Sequence, residues 1–281
     1  SERRLGTRVF DREVAAPLML APIGGQTKYH EVGELGAARV GGNLGIPVAM
    51  STTASHSIEA FAEANGDGLR FFQLYWPKDW GVAESLVRRA DAAGFDGIVL
   101  TVDSQLSKWR ARNLRNAYRG GREAPNMVYE SDPVVQERAE EAGQPLREFV
   151  FESDTFDKDA TLGWDDLDAL REWTDLPVVL KGSLTASDAR KAVEWGADGI
   201  IVSNHGGRQI DGAAATLHQL PGIADAVDGE LTVMLDSGVR SGADAFKALA
   251  LGADVVQFGR PYIFGLAING QQGVREVVLN T

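Results

Sequence analysis

One apolar run of this chain ends at His205, and two glycines and Arg208 follow it at once. A lone histidine is often a structural residue. Glycines beside it, however, let the backbone approach a bound molecule closely, and the arginine adds a cation. We therefore predict that His205 belongs to an active site rather than to the core.

Other apolar runs of the chain also end in polar or charged side chains. Buried charge is costly unless it is paired, so a single case could be a structural accident. If the runs are parallel strands of a barrel, their carboxyl ends line one mouth, and convergence there favours an active site over polar networks in the core. The residues at these ends are Gln73, Tyr75, Thr101, Asp103, Lys181, Asp236, Gly259 and Arg260.

Lys181 follows three apolar residues and should point inward from its strand. Two interpretations stay open for it. The ammonium group could form an internal salt bridge with a neighbouring carboxylate. Alternatively, it could serve as a cation against the electron-rich edge of a cofactor, or form a Schiff base.

Arginine and glycine residues predict two sites for anionic groups. Arg110 and Arg208 are candidates for holding a carboxylate through two parallel hydrogen bonds, which lysine does less well. Residues 236–240 and the pair Gly259-Arg260 lie at the carboxyl ends of the last two predicted strands. Barrels commonly bind phosphate at this place through backbone N–H groups and a helix N-terminus. Position and residue type thus predict a phosphate-bearing cofactor, without specifying which one.

The elements that carry these residues alternate as short apolar runs and amphipathic stretches. The runs are continuously apolar, as expected for parallel strands buried on both faces. Eight of them with helices between predict a single (β/α)8 barrel domain over residues 1–281. A doubly wound sheet is the structural alternative, although no run leads into a Gly-x-Gly-x-x-Gly turn. The predicted strands are residues 17–23, 47–52, 69–76, 97–103, 177–183, 199–205, 231–237 and 255–261.

One interval, residues 104–163, breaks this alternation between the fourth strand and the next helix. It is polar, with several arginines early and an acidic run later. Long insertions at the carboxyl face of a barrel are usually lids or substrate loops. We therefore predict that this interval is an inserted lid or loop.

The composition restricts the possible functions. Without any Cys among 281 residues, disulfides, thiolate nucleophiles, Fe–S clusters and cysteine-rich zinc sites are excluded, and we predict no metal. The net charge of -12 disfavours nucleic acid and anionic membranes as partners, because both require a positive surface. No apolar stretch reaches membrane-spanning length and no signal core follows the N-terminus, so we expect a cytoplasmic protein.

The same segments resemble the FMN-dependent L-2-hydroxy acid oxidases, the family of glycolate oxidase, lactate oxidase and lactate 2-monooxygenase. The resemblance covers essentially the whole chain. Its most specific string is Ser203-Asn204-His205-Gly206-Gly207-Arg208-Gln209. Further strings in the order of the family are residues 21–24, 71–75, 100–103, 180–182, 235–240 and 259–261.

The resemblance implies bound FMN and a role for each candidate residue. His205 is expected to take a proton from the substrate, with Asp103 as its acidic partner. Arg208 and Arg110 are expected to hold the substrate carboxylate, and Tyr75 to form a hydrogen bond near it. The expected contacts of the flavin ring and ribityl chain are Pro22, Ile23, Gly24, Ser51, Gln73, Thr101, Lys181, Ser203 and Asp236. Those of the phosphate are Gly238, Arg240, Gly259 and Arg260.

Within the family, the chain resembles lactate 2-monooxygenase most. Gly24 stands where oxidases more often have alanine, residues 108–114 resemble a string of that branch, and residues 129–143 resemble part of its long insertion. The chain departs from the branch string at Lys108, Ala111 and Asn113. Family members also carry a helical N-terminal segment and a complete last helix, and we expect both to be missing here.

The implied activity is oxidation of a small L-2-hydroxy acid such as lactate, with oxygen as acceptor, in a homo-oligomer such as a tetramer. A monooxygenase would form acetate, carbon dioxide and water, whereas an oxidase would release pyruvate and hydrogen peroxide. Two alternatives remain. One is a flavin-dependent isomerase on a similar barrel, such as isopentenyl diphosphate isomerase, which has no evident use for Arg110 and Arg208. The other is a flavin-binding barrel that is inactive for lack of its terminal segments.

Overall fold

A closed barrel of eight parallel strands forms the centre of the protein, in the order β10-β3-β4-β5-β6-β7-β8-β9. The computed structural model describes residues 4–104, 111–118, 124–210 and 212–281. Each predicted strand contains one barrel strand, so the predicted (β/α)8 fold is confirmed, although seven of the eight barrel strands end one to three residues before the predicted end. The barrel strands are β3 Leu18–Leu20, β4 Val48–Ser51, β5 Arg70–Leu74, β6 Gly97–Thr101, β7 Val178–Ser183, β8 Gly199–Val202, β9 Thr232–Leu235 and β10 Val255–Phe258.

Helices lie between the strands and cover the outside of the barrel. Their ends follow local sequence signals: the Asp79 side chain accepts two backbone N–H groups at the start of α3, and Gly196 ends α9 at a φ of 85°. The helices are α1 Gly33–Leu44, α2 Ile58–Asn65, α3 Trp80–Ala92, α4 Ala111–Arg115, α5 Met127–Glu130, α6 Pro133–Glu141, α7 Leu146–Glu152, α8 Asp168–Trp173, α9 Ala186–Trp195, α10 Thr216–Val227, α11 Gly242–Ala250 and α12 Arg260–Asn280. Within the described ranges, no helix has both the length and the apolar character needed to cross a bilayer.

A short antiparallel hairpin, β1 Thr7–Val9 and β2 Arg12–Val14, precedes the barrel and was not predicted. Its buried valines, Val9 and Val14, belong to the same apolar cluster as the inward side chains of the barrel strands. The ring of Phe10 also lies 5.9 Å from that of Phe71 on β5. The hairpin therefore packs its apolar side chains against the apolar interior of the barrel.

The prediction that residues 104–163 form a lid or loop is not confirmed. Helices α5, α6 and α7 occupy much of the interval, and Val128, Val135 and Val150 are buried in the core outside the barrel. Asp132 is fully buried, and its carboxylate accepts hydrogen bonds from Ser85 at 2.8 Å and from Arg89 at 2.9 Å, both on α3. This part of the interval is scaffold packed on α3, because burying the valines and pairing the carboxylate fixes it there.

Candidate active site

The interior of the barrel changes from apolar to polar at the carboxyl ends of its strands. Seven strands each place a buried polar side chain two residues after an apolar side chain of the barrel interior, and therefore on the same inward face. We call these apolar side chains the inner apolar cluster: Ala49, Phe71, Val99, Val179, Ile201, Met234 and Val255. We call these side chains the polar ring: Ser51, Gln73, Thr101, Lys181, Ser203, Asp236 and Gln257. All except Gln257 were predicted site residues. The signal for Gln257 was a polar side chain two positions after Val255 in an apolar run.

Most members of the polar ring hold one another through hydrogen bonds. Ser51 Oγ donates to Gln73 Oε1 at 3.1 Å, and Gln73 Nε2 donates to Thr101 Oγ1 at 3.0 Å. On the other side, Lys181 Nζ donates to Ser203 Oγ at 3.0 Å and lies 3.4 Å from Asp236 Oδ2. These contacts offset the burial of six of the seven side chains and fix the positions of their donors and acceptors.

Lys181 combines the salt-bridge and cofactor interpretations that the sequence left open. Burial disfavours its charge, but the carboxylates of Asp236 and Asp103 outweigh that effect and raise the pKa of Lys181. The amine therefore stays protonated at neutral pH, and a Schiff base, which needs the neutral amine, is disfavoured. Lys181 also lines the cavity at the barrel mouth, so its cation, paired with Asp236, is placed to face a molecule that binds there.

His205 is oriented as a base by Asp103. Its Nδ1 lies 2.9 Å from Asp103 Oδ1, and since a carboxylate accepts, Nδ1 carries the hydrogen and Nε2 keeps its lone pair. Nε2 lies 3.4 Å from the hydroxyl of Tyr75. His205 also has a φ of 58°, a left-handed conformation that residues other than glycine rarely adopt. The predicted pair is thus brought together, and the Nε2 lone pair of His205 faces the hydroxyl of Tyr75.

The charge on Asp103 is secured by its surroundings. Burial raises the pKa of this carboxyl, but the hydrogen bond from His205 and the positive charge of Lys181 more than offset burial, so the pKa of Asp103 lies below its ordinary value. Because its pKa is lowered, Asp103 is ionised at neutral pH and can stabilise the imidazolium that His205 becomes when it takes a proton.

Tyr75 is held by a cation that the sequence did not point to. The ammonium of Lys158 lies 3.8 Å from the centre of the Tyr75 ring and donates to Ser104 Oγ at 2.7 Å. A cation at this distance from an aromatic face is attracted to it. Lys158 was missed because it lies far from Tyr75 in sequence, in a segment without a recognisable pattern. The contact fixes the ring beside His205.

A cavity of about 560 Å³ opens at this end of the barrel, within the usual size of ligand sites. Four predicted residues are not among those that line it. Asp103, Gln73 and Ser203 form hydrogen bonds with lining residues, and Thr101 accepts one from Gln73. Arg110 lies outside the described residues. The predicted residues that line the cavity are Pro22, Ile23, Gly24, Ser51, Tyr75, Lys181, His205, Arg208, Asp236, Gly238, Arg240, Gly259 and Arg260.

One end of the cavity is strongly basic. Burial lowers the pKa of Arg260, and the neighbouring charges of Arg240 and Arg208 lower it further. Arg260 also donates to the carbonyl oxygen of Gly206. The guanidinium groups of Arg240 and Arg260, which repel each other beside the cavity, favour a multiply charged anion, because its charge relieves the repulsion. This end therefore fits the predicted phosphate.

The structure explains why residue 24 is a glycine. A Cβ atom added there would collide with the hydroxyl oxygen of Thr53 and lie 2.6 Å from its carbonyl oxygen. The backbone of the neighbouring residue, Gly25, also donates to that carbonyl oxygen at 2.9 Å. Thr53 thus fills the space that Gly24 leaves, and glycine is needed there for the close approach of two loops.

The residues of the cavity fit FMN. The basic end suits the phosphate, and the polar ring offers donors and acceptors for a flavin and its ribityl chain. Gln257 lines the cavity, and its Oε1 atom is buried and accepts no hydrogen bond from the described residues. An orphan acceptor in such a place fits a ligand that brings its own donor.

Comparison with known proteins agrees with this fit. Residues 1–280 match the FMN-dependent dehydrogenase family. The chain is 43% identical to an L-lactate oxidase of Lysinibacillus sphaericus over 97% of its own length and 70% of that protein. It is 40% identical to mouse 2-hydroxyacid oxidase 1, covering 98% of this chain and 74% of that one.

Solved structures show the same architecture. A lactate oxidase of Pediococcus acidilactici superposes with a TM-score of 0.87 at 37% identity, covering 100% of this chain and 72% of that one. A mandelate oxidase variant with (S)-mandelic acid superposes with a TM-score of 0.84 at 39% identity, covering 98% and 73%. With the site geometry, these similarities show that the chain belongs to the FMN-dependent dehydrogenase family and is an FMN-dependent oxidoreductase.

Proposed function

We propose that this protein oxidises a small L-2-hydroxy acid such as lactate to the 2-oxo acid, with FMN as the first electron acceptor and oxygen as the second. The observation that carries the proposal is the Asp103–His205–Tyr75 arrangement. A base oriented by a carboxylate, with its lone pair beside a phenol at the edge of a flavin cavity, suits removal of a proton from a hydroxy acid.

Each residue has a defined part in this reaction. His205 Nε2 accepts a proton from the substrate, and Asp103 stabilises the resulting imidazolium. Tyr75 and Arg208 orient the substrate, the arginine by pairing with its carboxylate, and Arg110 is the proposed second carboxylate ligand. Lys181 supplies a fixed positive charge where negative charge develops. Bound FMN supplies the acceptor for the two electrons that leave C2.

The substrate range is tested by mixing the FMN-loaded protein anaerobically with L-lactate, glycolate, L-mandelate and longer 2-hydroxy acids. We expect L-lactate to bleach the flavin absorbance fastest, in keeping with the similarity of the chain to L-lactate oxidases. Absence of bleaching with every acid would instead favour the inactive flavin-binding barrel.

For the fate of the product, we propose the course of a lactate 2-monooxygenase, in which the 2-oxo acid stays bound and acetate leaves. The support is the similarity of residues 108–114 and 129–143 to that branch. Gly24 adds less, since Thr53 occupies the space beside it. The alternative is an oxidase that releases pyruvate and peroxide. Aerobic turnover of L-lactate that yields acetate supports the proposal, and one peroxide per lactate contradicts it.

We also propose that the protein is a homo-oligomer. On α12, Phe264 is 60% exposed and Ile268 is 83% exposed, one helical turn apart, so a single face presents two large apolar side chains to solvent. Association of identical chains would bury this face. Light scattering on the purified protein tests the proposal: a mass near four chains is expected, and a monomer at high concentration would contradict it.

A further inference from the structure

Gln257 is the member of the polar ring whose carbonyl has no partner among the described residues. The side chain is fully buried on β10 and lines the cavity. Its Nε2 lies 3.5 Å from Sδ of Met234, which can only accept, so the amide nitrogen faces the sulfur. That orientation leaves Oε1 as the atom without a hydrogen bond.

A glutamine is a costly choice at this position unless a donor reaches it. A buried acceptor without a partner destabilises the protein, whereas an apolar side chain of the same size would not. Val255, two residues earlier on the same inward face of β10, is apolar and belongs to the inner apolar cluster, so an apolar side chain would suit this face. A ligand that brings a donor to Oε1 would turn this cost into binding free energy.

The neighbours of Gln257 show which part of a flavin it faces. Val255 pairs in register with Met234, so Gln257 stands level with Asp236 on the adjacent strand. Two residues further along the chain, Gly259 begins the basic end of the cavity, while Lys181 lies on the other side of Asp236. Gln257 therefore lies between the phosphate end and the proposed ring end.

The chemistry of FMN matches that position. An oxidised flavin ring offers one N–H donor, whereas the ribityl chain offers three hydroxyl donors and joins the ring to the phosphate. We propose that Gln257 binds the ribityl chain of FMN by accepting a hydrogen bond from one of its hydroxyls, beside Asp236. The proposal rests on FMN being the cofactor, and it adds a binding residue to that site.

The test removes the acceptor and the donor in turn. The full chain is freed of flavin and titrated with FMN and with three FMN analogues, each of which lacks one ribityl hydroxyl. Gln257→Met should bind FMN about 10-fold more weakly, which equals about 1.4 kcal/mol. For the analogue that lacks the partner hydroxyl, Gln257→Met and the unmodified chain should bind equally, because the hydrogen bond is already gone.

Two controls separate this role from an effect on folding. Met234→Leu removes the sulfur beside the amide nitrogen and should leave FMN affinity within about twofold, since Oε1 still makes the bond. The melting temperature of the flavin-free Gln257→Met chain should be equal or higher, because the unpaired acceptor is gone. Gln257→Leu, a second apolar replacement, should repeat the loss of FMN affinity if Gln257→Met folds poorly.

Three results would overturn the proposal. One is equal FMN affinity of Gln257→Met and the unmodified chain. Another is an equal loss of affinity for FMN and all three analogues, since the side chain would then act through the fold. The third, failure of the unmodified chain itself to bind FMN, would overturn the cofactor assignment as well and is therefore distinguishable from the first two.

Discussion

Replacing Asp103 with Asn tests how the structure makes His205 a base. The isosteric amide keeps the shape but loses the charge, and it can donate to Nδ1, which would move the ring hydrogen to Nε2. The contact of 2.9 Å between His205 and Asp103 places their charge centres about 4 Å apart in the protonated state. At an effective dielectric constant of about 20, such charges attract by about 4 kcal/mol. Since about 1.4 kcal/mol is tenfold in rate, Asp103→Asn should reduce flavin about 10³-fold more slowly.

The assay is anaerobic stopped-flow reduction of the FMN-loaded variant by L-lactate, with flavin content measured beforehand. Asp154→Asn is the matched control, because its carboxylate is 85% exposed and lies outside the cavity lining, and it should reduce flavin at the normal rate. Reduction of Asp103→Asn within about tenfold of the unmodified protein would refute the assignment, since the lost charge pair would then contribute far less than estimated.

The same carboxylate predicts a dependence of stability on pH. Burial opposes ionisation, but His205 and Lys181 together hold the pKa of Asp103 below its ordinary value in the folded protein. A lowered folded-state pKa gives stability that is fully present above the unfolded value and is lost as the pH falls through the folded value. The difference in unfolding free energy between the unmodified protein and Asp103→Asn should therefore shrink below about pH 4. A difference that grows on acidification would contradict the sign.

Three further substitutions have defined outcomes. His205→Gln should retain FMN but slow its anaerobic reduction at least about 10²-fold, and near-normal reduction would remove His205 from the chemistry. Lys181→Met should weaken FMN binding or slow reduction, because a buried cation is lost beside Asp236; normal flavin content together with a normal rate would leave only the salt bridge. Gly24→Ala should lower the free energy of unfolding by about 1–3 kcal/mol in a denaturant titration, since the new methyl group meets Thr53. Adding Thr53→Ala to Gly24→Ala should restore only part of that loss, because the backbone carbonyl oxygen of residue 53 stays in place. An unchanged denaturant midpoint for Gly24→Ala would show that the two loops move apart at no cost in stability.

The barrel was predictable because its strands are short, continuously apolar runs that alternate with amphipathic stretches. Counting in twos from the apolar interior leads directly to Lys181 and Asp236, and the same count leads to Gln257 from Val255. The sequence did not single out Gln257, because the glycine and arginine that follow it are the residues typical of a phosphate site. The signal was present in the sequence, and only the strand register was needed to find it.

Other features depend on contacts between distant segments and could not be predicted from local pattern. Lys158 contacts the ring of Tyr75 although the two residues are far apart in sequence. Residue 24 is a glycine because Thr53, in the loop after the next strand, packs against it. The helices of the 104–163 interval are short and polar on the outside, so composition alone indicated a loop. Apolar residues such as Val135 are few in this interval, and their place in the core becomes evident only from their packing against other elements such as α3.

One single-turnover measurement tests the central claim most directly. The FMN-loaded protein is mixed anaerobically with one equivalent of L-lactate or D-lactate, and the flavin spectrum and the amount of pyruvate are followed together. The account predicts that L-lactate bleaches the flavin and forms one pyruvate per FMN, that D-lactate does neither, and that His205→Gln slows both signals equally. A flavin that stays oxidised with L-lactate, or that bleaches at the same rate in His205→Gln, would contradict it.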